Sequence, residues 1–434
     1  MRQQILICVL KALHSFHRLK AMAIQHRFAQ LIFTSGWPSL FNLIFLGSVE
    51  FTPRPHHPHF SRSHVLTFSL SHVLPATSFY DGGISAALRH AILRPTPLTH
   101  ASHALTPLTF SRSHCLTLLL SYTLQLEAMP RSLPWTGVYP AVTTKFTNKG
   151  SLDFEAFLFG VQAQLSAGVD GIIIGGSLGE SSTISHDERI SMLTAIIEEF
   201  GHRVPVLINI AEGSTRQAIA LVQLAETSGA DGLMVLPPMM YKPTDEEVVD
   251  YFTDIAHNTD LPILVYNNPV DYKIEVKPHM FETLLKIDTI QAVKESTRDL
   301  SNVTRLINHF GDRLKILTGV DTIAMEALVM GAHGWVAGLV NAFPEETVAI
   351  YRLVKAGRIE EARTIHRWFL PILELDINPQ LVQNIKLAEH MTGLGNENVR
   401  LPRKPLSGHE RQRVVRIIEE GLVSRPTLPE YLNL

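Results

Sequence analysis

The chain has 434 residues, 45% of them hydrophobic and 18% charged, and a formal net charge of −3. That balance suits an ordinary folded protein and gives no electrostatic case for nucleic acid. Charge is nevertheless split: residues 1–128 hold ten Lys/Arg against three Asp/Glu, and residues 129–434 hold 28 against 38. Cys8 and Cys115, the two cysteines, both lie in the basic part, so disulfides and thiolate metal sites are excluded from the acidic part.

Within residues 1–128, "FSRSHVLTFSLSHVL" at 60–74 recurs imperfectly as "FSRSHCLTLLLSYTL" at 110–124, separated by Pro-, His- and Ser-rich pieces. Two such copies without ordered elements between them cannot bury a shared core. The expectation is a low-complexity, largely disordered extension; translated sequence upstream of a start at Met129 is the favoured origin. Its basic, Ser-rich, acid-poor composition also fits a transit peptide, which makes the compartment cytoplasmic, or mitochondrial on that second reading. No run reaches the roughly 18 apolar residues of a membrane span.

From Thr136 onward, eight short apolar runs rich in Val and Ile alternate with longer amphipathic ones. They fall at 137–144, 171–176, 205–211, 231–238, 262–267, 289–295, 314–319 and 334–340. Runs of this kind read as parallel strands buried on both faces. Capping boxes at Ser185-His-Asp-Glu188 and Thr244-Asp-Glu-Glu247 mark two helix starts, and Gly229 a helix stop. Eight βα units in succession predict a (β/α)8 barrel over 129–343. A doubly wound sheet would carry a Gly-rich phosphate loop after the first strand, and "AVTTKFTNKG" is not one. Residues 344–434 read as four amphipathic helical pieces, a C-terminal helical region rather than an independent catalytic domain.

In such a barrel chemistry gathers at the C-terminal ends of the strands. Those ends carry "GGSLGES" (175–181), "PPMMYKP" (237–243), "YNNP" (266–269) and "KES" (294–296). A lysine at that mouth, Lys294, is costly to bury charged, so its pKa falls and it can attack a carbonyl carbon. Tyr266 on the adjacent strand can move the proton to and from the carbinolamine. Backbone N–H groups of the Gly176-Ser177-Leu178 turn can hold a carboxylate beside that carbonyl. Together these parts describe a class I, Schiff-base lyase acting on a 2-oxo acid or its imine. No cofactor and no metal are called for, and the partner is a small-molecule 2-oxo acid rather than nucleic acid or membrane.

"GSLGES", "YNNP" and "VKES" at these separations resemble the dihydrodipicolinate synthase/N-acetylneuraminate lyase family over residues 136–422. The resemblance implies a barrel with a C-terminal helical region, assembled as a homotetramer of paired dimers or as a homodimer. It implies Lys294 as the Schiff-base lysine, Tyr266 as the general acid/base and Ser177 as a further catalytic hydroxyl. Gly176, Ser177, Leu178, Val336, Asn268, Met240 and Asp271 are then the candidates for contact with substrate.

Three positions depart from the family pattern. Leu178 stands where a second hydroxyl is usual, and Met240 where the synthases place a relay tyrosine. Asp271 replaces the arginine that follows the strand-five proline by two residues, and it would repel the carboxylate of the synthase's aldehyde substrate. That argues against the lysine-biosynthetic condensation, and the apolar Met239-Met240 edge and the "YNNP" loop resemble members that dehydrate and deaminate 4-hydroxy-pyrroline-2-carboxylate, the reaction that this resemblance implies. Cleavage of a 2-keto-3-deoxy sugar acid is the alternative, with dihydrodipicolinate synthesis proper behind it and a non-catalytic barrel last. Glu180 and Glu295 read as structural hydrogen-bonding carboxylates, Asn267 as a loop residue, and Thr143 and Thr144 as candidates for the base of the site.

Overall fold

Residues 131–434 are described by a computed structural model; the expectations for residues 1–128 lie outside them. Eight strands form one parallel sheet: β1 (Gly137–Pro140), β2 (Ile172–Ile174), β3 (Val206–Ile210), β4 (Gly232–Val235), β5 (Ile263–Asn267), β6 (Ile290–Glu295), β7 (Lys315–Thr318) and β8 (Gly334–Ala337). The order runs β1-β8-β7-β6-β5-β4-β3-β2. Just beyond β1, Ala141 bridges Ile173 of β2, and the Val142 N–H donates to the Ile173 carbonyl at 3.0 Å. Those two contacts join the first strand to the second and close the barrel. Its strands are buried almost throughout, because one face fills the interior and the other lies under the helices.

The helices between strands are α1 (Phe154–Ala167), α2 (His186–Phe200), α3 (Thr215–Thr227), α4 (Asp245–Ala256), the single turn α5 (Pro269–Tyr272), α6 (Pro278–Leu284), α7 (Ser301–Phe310) and α8 (Ala324–Val329). Both capping boxes form, with Ser185 and Thr244 accepting from the third helical N–H and Glu188 and Glu247 reaching back. Each cap contributes about 0.5–2 kcal/mol by satisfying amides that the helix leaves open.

After β8 come α9 (Pro344–Lys355), α10 (Ile359–Leu373), α11 (Leu381–Thr392) and α12 (Gly408–Val423). Helix α9 packs on β1, β8 and α1 and completes the outer ring. A boundary at 343 would therefore divide β8 from its own helix, and the added region is α10 to α12. The segment joining α10 to α11 and the start of α11 lie over the barrel mouth, where Asp376, Ile377 and Leu381 line a cavity with residues from seven of the eight strands or the turns just after them. Among the described residues no helix is long and apolar enough to cross a membrane.

Candidate active site

Strand alternation sends Ala292 and Lys294 of β6 to the same side, with Lys294 in register with Tyr266 of β5 and Leu317 of β7. Lys294 is only 7% exposed. Its Nζ lies 4.0 Å from the centroid of the Tyr266 ring, whose π face favours the ammonium form. Burial outweighs that contact and holds the Lys294 pKa below the ordinary lysine value, although Tyr272, Asp376, Asp321 and Asp271 all oppose the shift. Space for the side chain comes from Gly319, just past β7. A Cβ there would fall 2.6 Å from Lys294 Cε and 2.7 Å from its Cγ.

Tyr266 is buried, and desolvation pushes its pKa up to about 12 even though Asn268 hydrogen-bonds its oxygen. The hydroxyl therefore keeps its proton near neutrality. Asn268 Nδ2 donates to Tyr266 Oη at 3.1 Å and to Asp271 Oδ2 at 2.7 Å. In return the Asp271 amide donates to Asn268 Oδ1 at 3.2 Å, the N-cap bond of α5. Asp271 thus orients the amide that holds the Tyr266 hydroxyl.

One turn of helix further, Tyr272 meets the Tyr266 ring edge-on at 5.7 Å and hydrogen-bonds the Ser177 hydroxyl. Burial raises its pKa strongly, so this hydroxyl too stays protonated.

The carboxylate candidate is a tight turn after β2. Gly175 there has φ 69°, in the left-handed region open to glycine. The amides of Glu180 and Ser181 bond back to the carbonyls of Ser177 and Gly176, whereas those of Ser177 and Leu178 meet no acceptor among the described residues. Two unpaired N–H groups in a turn are suited to an anion. Leu178 is buried in the cavity wall and supplies apolar surface where a hydroxyl would have donated.

Asn268, Asp271, Tyr266, Lys294, Val336 and the Gly176-Ser177-Leu178 turn line one cavity of about 170 Å³. That is below the roughly 300–1,000 Å³ of pockets for drug-sized ligands and suits a small acid. Met240 is absent from its lining and 78% exposed, because the segment after β4 turns outward before reaching it. Thr143 and Thr144 are likewise outside the lining: Thr143 donates to Glu389, and Thr144 to the Gly179 carbonyl at 2.6 Å. Glu295 accepts from Asn267, Thr297 and Asn302, while Asn267 Oδ1 receives the Val276 amide at 2.9 Å.

Sequence reasoning missed three polar residues in or beside the site. Tyr272 lies three residues past the end of a motif already singled out, so a wider window would have included it. Asp321, beyond the end of β7, is buried and accepts from Trp335 Nε1 at 2.8 Å and the Leu339 amide at 2.7 Å. Burial nonetheless raises its pKa. Asp376 comes from the segment joining α10 to α11, and no local pattern marks it.

A closed parallel barrel with a desolvated lysine, two protonated tyrosines and a free-amide turn at one mouth has the parts of an imine-forming lyase. The Dihydrodipicolinate synthetase family model matches residues 134–421, and the chain belongs to that family, whose enzymes are class I Schiff-base lyases. It is 32% identical over 287 residues to the 4-hydroxy-tetrahydrodipicolinate synthase of Geobacter metallireducens, covering 65% of this chain and 98% of the relative. The 4-hydroxy-tetrahydrodipicolinate synthase structure from Methylacidiphilum fumariolicum SolV superposes with a TM-score of 0.64 at 29% identity, covering 66% of this chain and 96% of that one. The chloride-inhibited dihydrodipicolinate synthase of Acinetobacter baumannii, complexed with pyruvate, gives 0.64 at 25% identity over 66% and 99%.

Proposed function

We propose that Lys294 forms the imine and that the substrate is a 2-oxo acid or cyclic imino acid with one carboxylate and a hydroxyl on the β carbon, 4-hydroxy-pyrroline-2-carboxylate first among them. The observation that carries the substrate class is Asp271. It stands at the cavity rim and is tied to Asn268, where a substrate with a second carboxylate would need a cation. Like charges about 4 Å apart cost between about 1 kcal/mol in water and about 4 kcal/mol at an effective dielectric of 20. Asp271 is exposed, which pulls the figure toward the lower end.

In this reading the Ser177 and Leu178 amides hold the substrate carboxylate. The neutral Lys294 amine attacks C2, and Tyr266 carries the proton between nitrogen and the oxygen or nitrogen being displaced. Loss of the C3 proton gives an enamine, whose electron pair forms the C3–C4 double bond as the C4–O bond breaks. The hydroxyl takes up a proton and leaves as water.

Arg298 supports a second reading. Its side chain lines the same cavity and could pair with a distal carboxylate, as condensation of pyruvate with aspartate semialdehyde requires. Its exposed position at the rim weakens such a pair by solvent screening.

The test compares kcat/KM for pyruvate plus aspartate semialdehyde, for 4-hydroxy-pyrroline-2-carboxylate and for 2-keto-3-deoxy sugar acids, with ammonia, pyruvate and aldehyde all detected. A clear preference for either of the last two is expected. The highest value for the first pair would reject this substrate class and assign Arg298 the second carboxylate.

A further inference from the structure

We infer that Asp376, carried by the C-terminal region, is the general acid that protonates the departing β-hydroxyl, and so joins the catalytic groups supplied by the strands. The inference rests on the imine-forming reading of Lys294 given above.

Asp376 lines the same cavity as Lys294. Its carboxyl has no hydrogen-bond partner among the described residues, unlike Asp321, whose two oxygens receive bonds from Trp335, Gly338 and Leu339. The room it occupies is made by a missing side chain: a Cβ on Gly338 would lie 2.7 Å from Asp376 Oδ1. A carboxyl set into the wall of a catalytic cavity with its bonding capacity unused is costly unless protonated or met by a ligand.

The surrounding groups favour the protonated acid. Burial is the largest influence and raises the Asp376 pKa well above that of a free aspartate. Asp321 and Asp271 add to the rise, while Lys294 and Arg298 oppose it. The neighbouring hydroxyls of Tyr266 and Tyr272 are neutral and bring no countercharge. The residue is partly exposed, so solvent relieves part of the desolvation without reversing its direction.

A neutral carboxylic acid has one O–H to give. In the elimination step the proton moves from Asp376 to the β-oxygen as the C–O bond breaks, water leaves, and the Asp376 carboxylate remains to be reprotonated before the next turnover. Tyr266 and Ser177 serve the C2 end of the substrate in the reading above. Asp376 is the carboxylic acid left unassigned in the wall, beside the hydroxyls of Tyr272 and Ser296.

The experiment uses the full chain and three readouts on the wild type, Asp376→Asn and Asp376→Ala. Imine formation is followed by cyanoborohydride trapping with pyruvate, and enamine formation by deuterium exchange of pyruvate methyl protons in D2O. Neither step expels a hydroxyl. The third readout is turnover of the β-hydroxy substrate. The expected result is trapping and exchange within about threefold of wild type for Asp376→Asn, with turnover down by about 10²–10⁴, the usual weight of general acid catalysis. A 4-fluoro or 4-chloro analogue, whose leaving group needs no full proton transfer, should recover most of the lost rate.

Wild-type turnover in Asp376→Asn overturns the inference. So does loss of trapping in parallel with turnover, which would make Asp376 a structural or positioning group, and so does an analogue that is slowed as much as the hydroxy substrate. Failure of the wild type itself to trap pyruvate on Lys294 would overturn the underlying imine reading instead.

Discussion

Lys386 of α11 and Glu180 of the turn after β2, 206 residues apart in the chain, face each other at 2.5 Å with neither side chain exposed. Glu180 stands two residues past Leu178 of the Gly176-Ser177-Leu178 turn and has a left-handed φ of 57°. It also accepts from the Arg400 amide at 3.1 Å. A second buried pair, Lys145 with Glu389 at 2.5 Å, ties the segment after β1 to the same helix. The C-terminal region is thus fastened to the two loops that frame the proposed carboxylate site.

Removing one member of such a pair strands the other in low dielectric. Lys386→Met should cost about 3–5 kcal/mol in denaturant unfolding, and adding Glu180→Gln should restore a large part of it. Burial pushes the Lys386 pKa down to about 8 from an ordinary 10.5. Between those values the unfolded chain binds the extra proton, so this residue makes stability rise as pH climbs through the window. Lys386→Met should lack that increment. Additive single-mutant losses, with no coupling between the two residues, would refute the pairing.

Gly319 is expected to matter for catalysis more than for folding. A methyl group there would lie 2.3 Å from Ser296 Oγ and under 3 Å from two carbons of Lys294. Gly319→Ala should displace the lysine stem at an overpacking cost of about 1–3 kcal/mol. Turnover should fall by about 10²-fold, as displacements near 1 Å do at a reacting centre. An unchanged rate of pyruvate trapping would show that the lysine has room the structure does not reveal.

The pH dependence of trapping follows from the Lys294 shift. Burial lowers its pKa, so the neutral, attacking amine accumulates as pH rises, with a midpoint below the roughly 10.4 of a free lysine. Lys294→Arg should abolish the adduct with the barrel intact, because a guanidinium stays protonated. A midpoint at or above the free-lysine value, or an adduct on another lysine, would contradict the assignment.

The barrel was legible because its signals are local. Val- and Ile-rich runs buried on both faces, the Ser185 and Thr244 capping boxes and the glycine stops each act within a few residues, and all of them appear as helices and strands. The strand-end rule then pointed to Lys294, Tyr266 and the Ser177 turn, which do line one cavity. Met240 lies outside that cavity and is exposed, because its direction depends on how the segment after β4 leaves the barrel.

What the sequence by itself determined is the repeating βα architecture and the residue types at the strand ends, since period and position alone carry that information. Only the tertiary structure decided that Asp376 joins them, that Asp271 acts through Asn268 on Tyr266, and that Glu180 is neutralised by Lys386. Each of those relations depends on desolvation and charge at short range between segments that share no local pattern. In the two that involve the C-terminal region, the partners come from distant parts of the chain, and only the closed fold brings them within a few ångströms.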